Sequence, residues 1–350
     1  MKISPLFSLL ALGLCVPAHA VWSVTFLHPG GTSVSAAFGG SGTVQCGVAV
    51  ASGVQHASYW NSTAGSWVGM NPAGANYSEA YAASGSTQVG YAHVGVTTKA
   101  SMWSGSAASW VDLHPGGLGS IAYGVWGGSQ VGAHYTSGTV YAGHWAGTAG
   151  SFVNINPTGS TASTAYAAFG GTQVGYSTFA GVQEAGLWNG TAASWVNLHP
   201  GAATASQALA VHGSTQVGQA FVGTNYHASL WSGTSSSWVD LNPTGASRST
   251  AHGVNGIYQV GGAIIGGSQR ASLWSGSAGS WFDLHSVLPA SFSNSVARSI
   301  TTDGVNYYIS GLGRTTSGDQ ALLWVQPVPE PGTLVALALG AGAMLKKRKR

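Results

Sequence analysis

The stretch from His227 to Gly261, HASLWSGTSSSWVDLNPTGASRSTAHGVNGIYQVG, contains the pattern that decides the fold. Short apolar or alternating runs are separated by glycine, serine and proline, which is typical of β-strands joined by tight turns. The pattern recurs along the chain, and a tryptophan marks each copy, at Trp60, Trp103, Trp145, Trp188, Trp231, Trp274 and Trp324. Successive tryptophans are 43, 42, 43, 43, 43 and 50 residues apart.

Two further positions keep the same period. A proline follows histidine or asparagine in six copies, at Pro29, Pro72, Pro115, Pro157, Pro200 and Pro243. A glutamine precedes Val-Gly or Cys-Gly in six copies, at Gln45, Gln88, Gln130, Gln173, Gln216 and Gln259. Three positions that recur in phase indicate a structural repeat rather than biased composition.

Each repeat is predicted to form four strands. In the second copy these are Ala80–Ala83, Thr87–Ala92, Ala100–Trp103 and Ser109–Leu113. Proline has no N–H to donate and is disfavoured inside sheets, so the recurring prolines belong in connections. Four strands in about 43 residues are typical of a β-propeller blade. A β-solenoid with two rungs per repeat is the alternative.

The ends of the repeat region favour the ring. The last copy stops after Trp324-Val325 and lacks its fourth strand, whereas Val24–Pro29 has the sequence of that strand. In a closed ring the first strand can complete the last blade and leave no open edge. The sequence therefore predicts an all-β, seven-bladed β-propeller of four-stranded repeats of about 43 residues, with its last blade closed by the N-terminal strand.

Both ends of the chain indicate export. Residues 1–20 contain Lys2, an apolar run and Ala18-His19-Ala20, a pattern typical of a cleaved signal peptide. A lipoprotein signal at Cys15 is the alternative, although the preceding Leu14 is bulky for that role. The predicted domains are the signal peptide at 1–20, the propeller at 21–327 and a sorting segment at 328–350.

The C-terminal segment resembles a known signal. Pro329-Glu330-Pro331 is followed by an uncharged, mostly apolar run, 332–345, and by the basic cluster 346–350. This order resembles the PEP-CTERM sorting signal of Gram-negative bacteria that make exopolysaccharide. The resemblance implies an exosortase as processing partner, transient inner-membrane anchoring through a short transmembrane helix, and a secreted or cell-surface destination. An ordinary tail anchor is the alternative.

The repeats resemble the HAF family of extracellular repeats. The family is named for His-Ala-Phe before Leu-Trp, and His227-Ala228-Ser229-Leu230-Trp231 and His56-Ala57-Ser58-Tyr59-Trp60 correspond to it. Serine replaces the phenylalanine here, and Lys99 replaces the histidine in another copy. The resemblance implies an extracellular repeat protein and no particular chemistry.

Charge argues against nucleic-acid binding. Between Val21 and Pro327 the chain has five basic and seven acidic residues, a net charge of −2, and the basic calculated pI reflects the two ends.

Cys46 is the one cysteine after residue 20, so no disulfide forms within the repeats, and a small buried core residue is expected there.

The acidic and histidine residues do not form a sequence-marked catalytic or metal site. Asp alternates with Asn at one repeat position, which favours a hydrogen-bonding role in a turn, at Asp112, Asn154, Asn197, Asp240 and Asp283. The other acids are dispersed.

Histidine alternates with asparagine before the prolines and in the equivalent seventh position, at His28, Asn71, His114, Asn156, His199, Asn242 and His285. A metal site is the alternative to turn capping, but sevenfold spacing separates the imidazoles. No catalytic residue, metal or cofactor is predicted.

Aromatic residues that break the repeat are the predicted ligand contacts. Twelve of the fourteen tryptophans occupy two repeat positions and are expected to be core residues; Trp22 and Trp126 do not. The predicted ligand-binding residues follow the second or fourth strand, on one face, and are Tyr77, Tyr135, Phe179 and Phe221. A second variable set precedes the first hairpin glycines on the opposite face: Ser84, Trp126, Phe169, His212 and Asn255.

The sequence therefore predicts an exported, noncatalytic surface or extracellular-matrix protein that binds exopolysaccharide or another envelope component. The alternatives are a propeller enzyme that acts on a glycan at the channel mouth, and a purely structural matrix component.

Overall fold

Nearly all regular structure is β-strand between Trp22 and Pro329, the residues that the computed structural model of the protein describes. The strands form because short runs of alternating or apolar residues are bounded by turns with glycine at positive φ, such as Gly85 at 57° and Gly95 at 62°. These described residues contain one compact unit, Trp22–Gln326.

The strands follow the repeat. The N-terminal strand is β1, Ser23–Phe26. The first complete copy forms β2 (Thr32–Ser41), β3 (Val44–Ala51), β4 (Val54–Asn61) and β5 (Val68–Gly69). The second forms β6 (Ala75–Ser84), β7 (Thr87–Val94), β8 (Thr97–Trp103) and β9 (Val111–Asp112). The third forms β10 (Gly119–Trp126), β11 (Ser129–Thr136), β12 (Thr139–Trp145) and β13 (Val153–Asn154).

The remaining copies keep this order. The fourth forms β14 (Ala162–Phe169), β15 (Thr172–Phe179), β16 (Val182–Trp188) and β17 (Val196–Asn197). The fifth forms β18 (Ala205–His212), β19 (Thr215–Val222), β20 (Asn225–Trp231) and β21 (Val239–Asp240). The sixth forms β22 (Ala246–Asn255), β23 (Tyr258–Ile265), β24 (Ser268–Trp274) and β25 (Phe282–Asp283). The last forms β26 (Asn294–Thr302), β27 (Asn306–Thr315) and β28 (Gly318–Pro327).

Helical structure within Trp22–Pro329 is limited to short 3-10 turns: Ala64–Ser66, Ala107–Ser109, Ala149–Ser151, Ala192–Ser194, Ser235–Ser237, Ala278–Ser280 and Leu284–Val287. In this part of the chain, no helix has the length and apolar character needed to cross a membrane. The predicted C-terminal helix, Glu330, Pro331 and the signal peptide all lie outside the described residues, and Pro329 is the last residue inside them.

The strands pair antiparallel in chain order within each copy. The described strands make five four-stranded sheets and one eight-stranded sheet, which combines β6–β9 with β10–β13 through a single parallel pairing of Thr98 and Gly119. The predicted strands exist, with different bounds. β6 begins at Ala75 instead of Ala80, and β9 covers only Val111–Asp112 because a 3-10 turn occupies the residues before it.

The N-terminal strand completes the last sheet, which confirms the prediction for Val24–Pro29. Ser23 pairs with Val325 and Val24 with Trp324, and the Leu27 N–H donates to the Ala321 carbonyl at 2.9 Å. Contacts between neighbouring first strands run from β2 through β6, β10, β14, β18, β22 and β26 and return to β2. The first strands therefore enclose a common centre.

The recurring tryptophans form the core, as predicted. All seven that mark the copies are fully buried. Trp103, for example, packs against Met70 and Cys46 of the preceding copy, so its ring fills the space between two sheets. The second tryptophan of a copy is half-buried; the Trp110 Nε1–H donates to the Ser101 hydroxyl at 2.9 Å. Burial also raises the pKa of Cys46 to about 12, consistent with an inert core thiol.

Candidate ligand-binding site

The first strand of every copy has a β-bulge at the equivalent place, directly after an alanine. The register shifts across the bulge, which leaves one residue unpaired with the second strand. The bulged residues are Phe38, Tyr81, Tyr123, Tyr166, Leu209, His252 and Arg298. All of them line one cavity of about 180 Å³, the central cavity.

Close packing of the first strands explains why the bulged side chain lies in the cavity. The residue after the bulge is small in every copy, since a Cβ at Gly39 would lie 2.6 Å from the Tyr81 carbonyl oxygen. A Cβ at Gly124 would lie 2.7 Å from the Tyr166 carbonyl oxygen. At these two positions the neighbouring backbone leaves no room for a side chain, and the other copies have Ala82, Ala167, Ala210, Gly253 and Ser299 there. The bulged residue therefore supplies the largest side chain that each first strand contributes to the cavity lining.

One side of the central cavity is aromatic. Its aromatic wall consists of Phe38, Tyr81, Tyr123 and Tyr166, whose neighbouring ring centroids are 5.8, 5.4 and 5.4 Å apart. Burial raises the pKa of all three tyrosines, and neighbouring hydroxyls or the carboxylate of Glu79 raise it further. The phenols therefore stay neutral and keep their hydroxyl donors at physiological pH.

The aromatic wall extends towards the face formed by the second-to-third-strand turns and the links between copies, here the connection face. The Tyr91 ring lies 6.0 Å from that of Tyr81 and 6.0 Å from that of Tyr77. Glu79 accepts a hydrogen bond from Gln55 and raises the pKa of Tyr91, after burial as the main cause. Rings therefore connect the centre with the protein surface.

The other side of the central cavity is basic. Arg298 Nη1 lies 3.5 Å from His252 Nε2, while Arg298 Nε has no accessible surface and no hydrogen-bond partner among the described residues. Burial, and then the charges of Arg298 and Arg248, hold the pKa of His252 well below 6.5. At neutral pH this side therefore has an uncompensated guanidinium beside a neutral imidazole.

A side pocket of about 300 Å³ adjoins the basic side and reaches the connection face. Leu209, His252 and Arg298 line its deep end, and Arg248 and Gln269 lie nearer the surface on β22 and β24. A hydrogen-bonded series of side chains crosses its wall: Gln207 donates to Gln183 at 2.9 Å, Gln219 to Gln207 at 3.1 Å and Thr250 to Gln219 at 2.9 Å.

The four predicted ligand residues do not form one site. They were expected in loops, but all four lie in strands, because the first and second strands are longer than predicted. They belong to four different copies, and within the described residues no ring contact joins two of them. Two of them pack against a ring of their own copy. The ring centroids of Phe179 and Trp195 are 6.1 Å apart, and those of Phe221 and Tyr226 are 5.0 Å apart.

Tyr77 and Tyr135 are the two that adjoin the central cavity. Tyr77 is 36% exposed and stacks on His93 at 4.8 Å, besides its contact with Tyr91. Tyr135 is half-buried and raises the pKa of Tyr123, so the two hydroxyls lie near each other. Both therefore connect the predicted surface with the aromatic wall.

The bulged residues that line the central cavity were not predicted from the sequence. Each one stands between small residues, as in Ala80-Tyr81-Ala82, Ala251-His252-Gly253 and Ala297-Arg298-Ser299. The sequence signal for this site is a position that varies between copies and is flanked in every copy by two small residues.

A second aromatic surface lies on the opposite face, formed by the first-to-second-strand turns and here called the hairpin face. The Trp126 and Phe169 ring centroids are 4.1 Å apart, and those of Phe169 and His212 are 4.4 Å apart. Trp126 is 44% exposed. These residues were expected on this face, and they form a cluster of three rings from successive copies.

The alternating Asp and Asn residues have the predicted turn role. Asp112 Oδ1 accepts the His114 N–H at 2.8 Å, and Asn154 Oδ1 accepts the Asn156 N–H at 2.8 Å. The carboxylates also pair along their sheet, as Asp112 does with Lys99 at 2.6 Å. Their partners are structural, and the side chains line neither the central cavity nor the side pocket.

The alternating His and Asn residues join neighbouring copies. His114 Nδ1 forms a hydrogen bond with the Ser120 hydroxyl at 2.8 Å, and that hydroxyl accepts the Ala100 N–H of the preceding copy at 2.9 Å. In another copy Ser163 donates to Asn156 at 2.6 Å and accepts the Ala142 N–H at 2.9 Å. Within Trp22–Pro329, no group of three or more His, Cys, Asp or Glu side chains could hold a metal ion.

No family model matches the chain, and no curated protein is similar to it. Solved structures with the same fold do exist. The β-propeller domain of the Trilobed protease from Pyrococcus furiosus matches 85% of this chain and 97% of its own length, with 6% identity and a TM-score of 0.54. That domain has an open velcro topology. In the present chain, β1 pairs with β28.

A Pyrococcus horikoshii acylaminoacyl peptidase matches 89% of this chain with 9% identity and a TM-score of 0.54. This chain spans 55% of that peptidase. A Trypanosoma rangeli sialidase matches 93% of this chain and 58% of its own length, with 10% identity and a TM-score of 0.39. The two matches with a TM-score of 0.54, together with the four-stranded antiparallel sheets, show that the protein has the β-propeller fold, and they extend to the fold alone.

Proposed function

We propose that the protein is an exported, noncatalytic surface or matrix protein whose propeller has seven blades and binds a polysaccharide at its central cavity. The observation that carries the proposal is the aromatic wall. Four neighbouring rings from successive copies line one side of the cavity, and further rings connect it with the connection face. Rigid aromatic faces present apolar area with little loss of side-chain entropy on binding.

The blade number rests on the strand pairing. The eight-stranded sheet divides into β6–β9 and β10–β13, since one parallel pairing is all that joins them. Counting these as two blades, with the β1–β28 sheet as the last, gives seven blades around the bulged residues. The seven equivalent positions in the lining of the central cavity support the same number.

The chemistry of the cavity suits a sugar chain. The apolar face of a pyranose ring can stack on tyrosine, while the neutral phenols of Tyr81, Tyr123 and Tyr166 can hydrogen-bond its hydroxyls. The side pocket adds the amide of Gln269, while Gln219 and Thr250 are hydrogen-bonded to each other in its wall. Polar groups that converge beside an apolar wall are typical of ligand sites.

Export and surface location are part of the same proposal. They rest on the signal-peptide pattern of residues 1–20 and on the resemblance of the segment beginning at Pro329 to the PEP-CTERM signal. An exosortase is the proposed processing partner, and the host's own exopolysaccharide is the proposed ligand. No role in nucleic-acid binding is proposed.

The alternative is a propeller enzyme that acts on a glycan. Such an enzyme commonly needs a pair of carboxyl groups about 5 to 10 Å apart at the sugar. The residues that line the central cavity and the side pocket are aromatic, aliphatic, amide, hydroxyl, imidazole and guanidinium groups. Glu79 is a single carboxylate next to Tyr81 and Tyr91, and it accepts a hydrogen bond from Gln55. Binding is therefore the better-supported function.

The test is retention of the purified protein on immobilised exopolysaccharide from its host. The combined variant Tyr81→Leu, Tyr123→Leu and Tyr166→Leu keeps much of the apolar volume but removes the rings and hydroxyls. We expect it to lose binding, while Tyr141→Leu on β12, outside both cavities, keeps it. Melting temperature and circular dichroism verify the fold of both variants.

Equal retention of the triple variant and the wild type would contradict a site at the central cavity. Loss of binding by Trp126→Ser in that case would assign the ligand to the hairpin face. Absence of wild-type binding would favour a purely structural matrix component.

A further inference from the structure

Two basic residues of the repeat region have no acidic partner, and both line the side pocket. The described residues include five Lys and Arg side chains. Three of them form ion pairs: Lys99 with Asp112, Arg270 with Asp283 and Arg314 with Asp319. The other two are Arg248 and Arg298, and both contribute to the wall of the same 300 Å³ pocket.

The charge of Arg298 lowers the folding stability of the protein when no ligand is bound. A cation removed from water is destabilising unless a countercharge and hydrogen-bond acceptors replace its hydration. Its Nε has neither accessible surface nor an acceptor within the described chain, and its Nη1 lies 3.5 Å from the neutral imidazole of His252. Ser, Gln and Thr side chains complete the polar lining of the pocket, and none carries a negative charge.

Arg248 extends the positive potential to the surface. It is exposed on β22, and its guanidinium carbon lies 6.0 Å from the centroid of the Tyr226 ring. Arg248 also helps to lower the pKa of His252, so its charge acts at the depth of Arg298. An anion that enters from the connection face would meet Arg248 first and Arg298 at the end of the pocket.

We propose that the side pocket binds the carboxylate of an acidic sugar residue, so that the ligand is a uronate-containing polysaccharide. This inference rests on the proposed polysaccharide function and names the class of its ligand. Arg298 binds the carboxylate, Arg248 attracts it, and the aromatic wall contacts the neighbouring sugar faces.

A carboxylate fits this site better than a phosphate monoester. The guanidinium group is planar, and its two outer Nη groups can donate parallel hydrogen bonds to the two oxygens of a carboxylate, while the enclosed Nε takes no part. One deep arginine neutralises a single negative charge, whereas a phosphate monoester carries nearly two near neutral pH. The side-chain amide of Gln269 remains for the hydroxyl groups of the same sugar.

The experiment is calorimetric titration of the full protein with an oligogalacturonate of defined length and with the same oligomer after carboxyl reduction. We expect the reduced, neutral oligomer to bind at least 10-fold more weakly. Arg298→Gln should weaken binding of the acidic oligomer about 10- to 100-fold, since a hydrogen bond to a charged group is lost. Arg248→Gln, at an exposed position that the fold does not require, should weaken it by less.

The matched control is Arg314→Gln. Arg314 is an exposed arginine on β27 that already has Asp319 as its partner, so its loss should leave the affinity within about twofold. Circular dichroism and melting temperature verify that each variant is folded. Arg298→Lys keeps the charge but not the planar fork, and it should bind with intermediate affinity.

The outcomes separate the carboxylate site from polysaccharide binding. Equal affinity for the acidic and reduced oligomers, or an unchanged affinity of folded Arg248→Gln and Arg298→Gln, overturns the carboxylate site and leaves a neutral-sugar function. If neither oligomer binds but galacturonate monomer or acetate binds in an Arg298-dependent way, the anion site stands and the polymer function fails. Binding of none of these probes removes both. Tighter binding of a sulfated or phosphorylated oligosaccharide than of the oligogalacturonate would also overturn the choice of carboxylate.

Discussion

The substitution Leu27→Ala measures how much the N-terminal strand contributes to closing the propeller. Leu27 directly follows β1 and is fully buried. It packs with Trp60 of the first copy and with Tyr308 and Leu323 of the last, and so lies between the two ends of the repeat. If β1 is an integral strand, truncation of Leu27 should be as costly as truncation of an equivalent residue within an unbroken copy.

That equivalent residue is Leu113. It is fully buried and packs against Val89, Ala122 and Trp145, across the boundary between the second and third copies. Both leucines follow the outermost strand and donate their N–H to a third strand, Leu27 to Ala321 at 2.9 Å and Leu113 to Ala100 at 2.8 Å. The two sites differ in chain connectivity and not in local structure.

The expected cost follows from the groups removed. Leucine to alanine removes about three carbon groups, which corresponds to roughly 2.4 kcal/mol of transfer free energy at about 0.8 kcal/mol each. The cavity left behind brings the total to about 3 kcal/mol, within the usual range of about 2 to 5. We expect both variants to lose about 3 kcal/mol of unfolding free energy and to agree within about 1 kcal/mol.

The assay is equilibrium unfolding in urea, followed by tryptophan fluorescence and by circular dichroism on the same samples. Coincidence of the two signals verifies that one transition is measured. A loss of under about 1 kcal/mol for Leu27→Ala beside about 3 kcal/mol for Leu113→Ala would refute closure by β1. It would mean that the N-terminal strand is frayed in solution and that the ring has an open edge.

Further outcomes follow from the same structure. Ser163→Ala should cost about 1 to 3 kcal/mol in urea unfolding, because the Ala142 N–H loses its buried acceptor; a cost under about 0.5 kcal/mol would contradict the link between copies. Stability should fall as pH decreases below about 6.5, because the unfolded state protonates His252 while the folded state keeps its pKa low. His252→Gln should reduce this dependence, and identical pH profiles for variant and wild type would contradict the burial of that imidazole. Intact mass of the exported protein should show loss of residues 1–20 and of the basic tail; retention of Arg350 would contradict sorting through the C-terminal signal.

Repetition made much of the fold predictable. A residue that recurs in every copy has the same structural task each time, so its role can be inferred from its spacing. Gln88 is an example: its Oε1 accepts the Gly105 N–H at 2.7 Å, and its Nε2 donates to the Ser86 carbonyl at 2.9 Å. The buried tryptophans, the turn aspartates and the closing strand were predicted on the same basis.

The binding site was less predictable because it depends on departures from regular strand geometry. A bulge breaks the alternation of side chains, so the side on which Tyr81 or Arg298 lies cannot be derived by counting from its neighbours. Tyr77 and Phe221 were expected in loops because turn residues, and not hydrogen bonding, defined the strand ends in the sequence. The seven first strands pack closely around a common centre, and this packing depends on residues far apart in the sequence. The small residues beside each bulge are required because the neighbouring first strand lies so close.

A crystal structure of the protein with a uronate-containing oligosaccharide would test binding at the central cavity most directly. We expect sugar density in the central cavity, with a ring against Tyr81 or Tyr123 and a carboxylate within hydrogen-bonding distance of Arg298. Sugar bound instead at Trp126 and Phe169 on the hairpin face, with the cavity residues free of ligand, would contradict it.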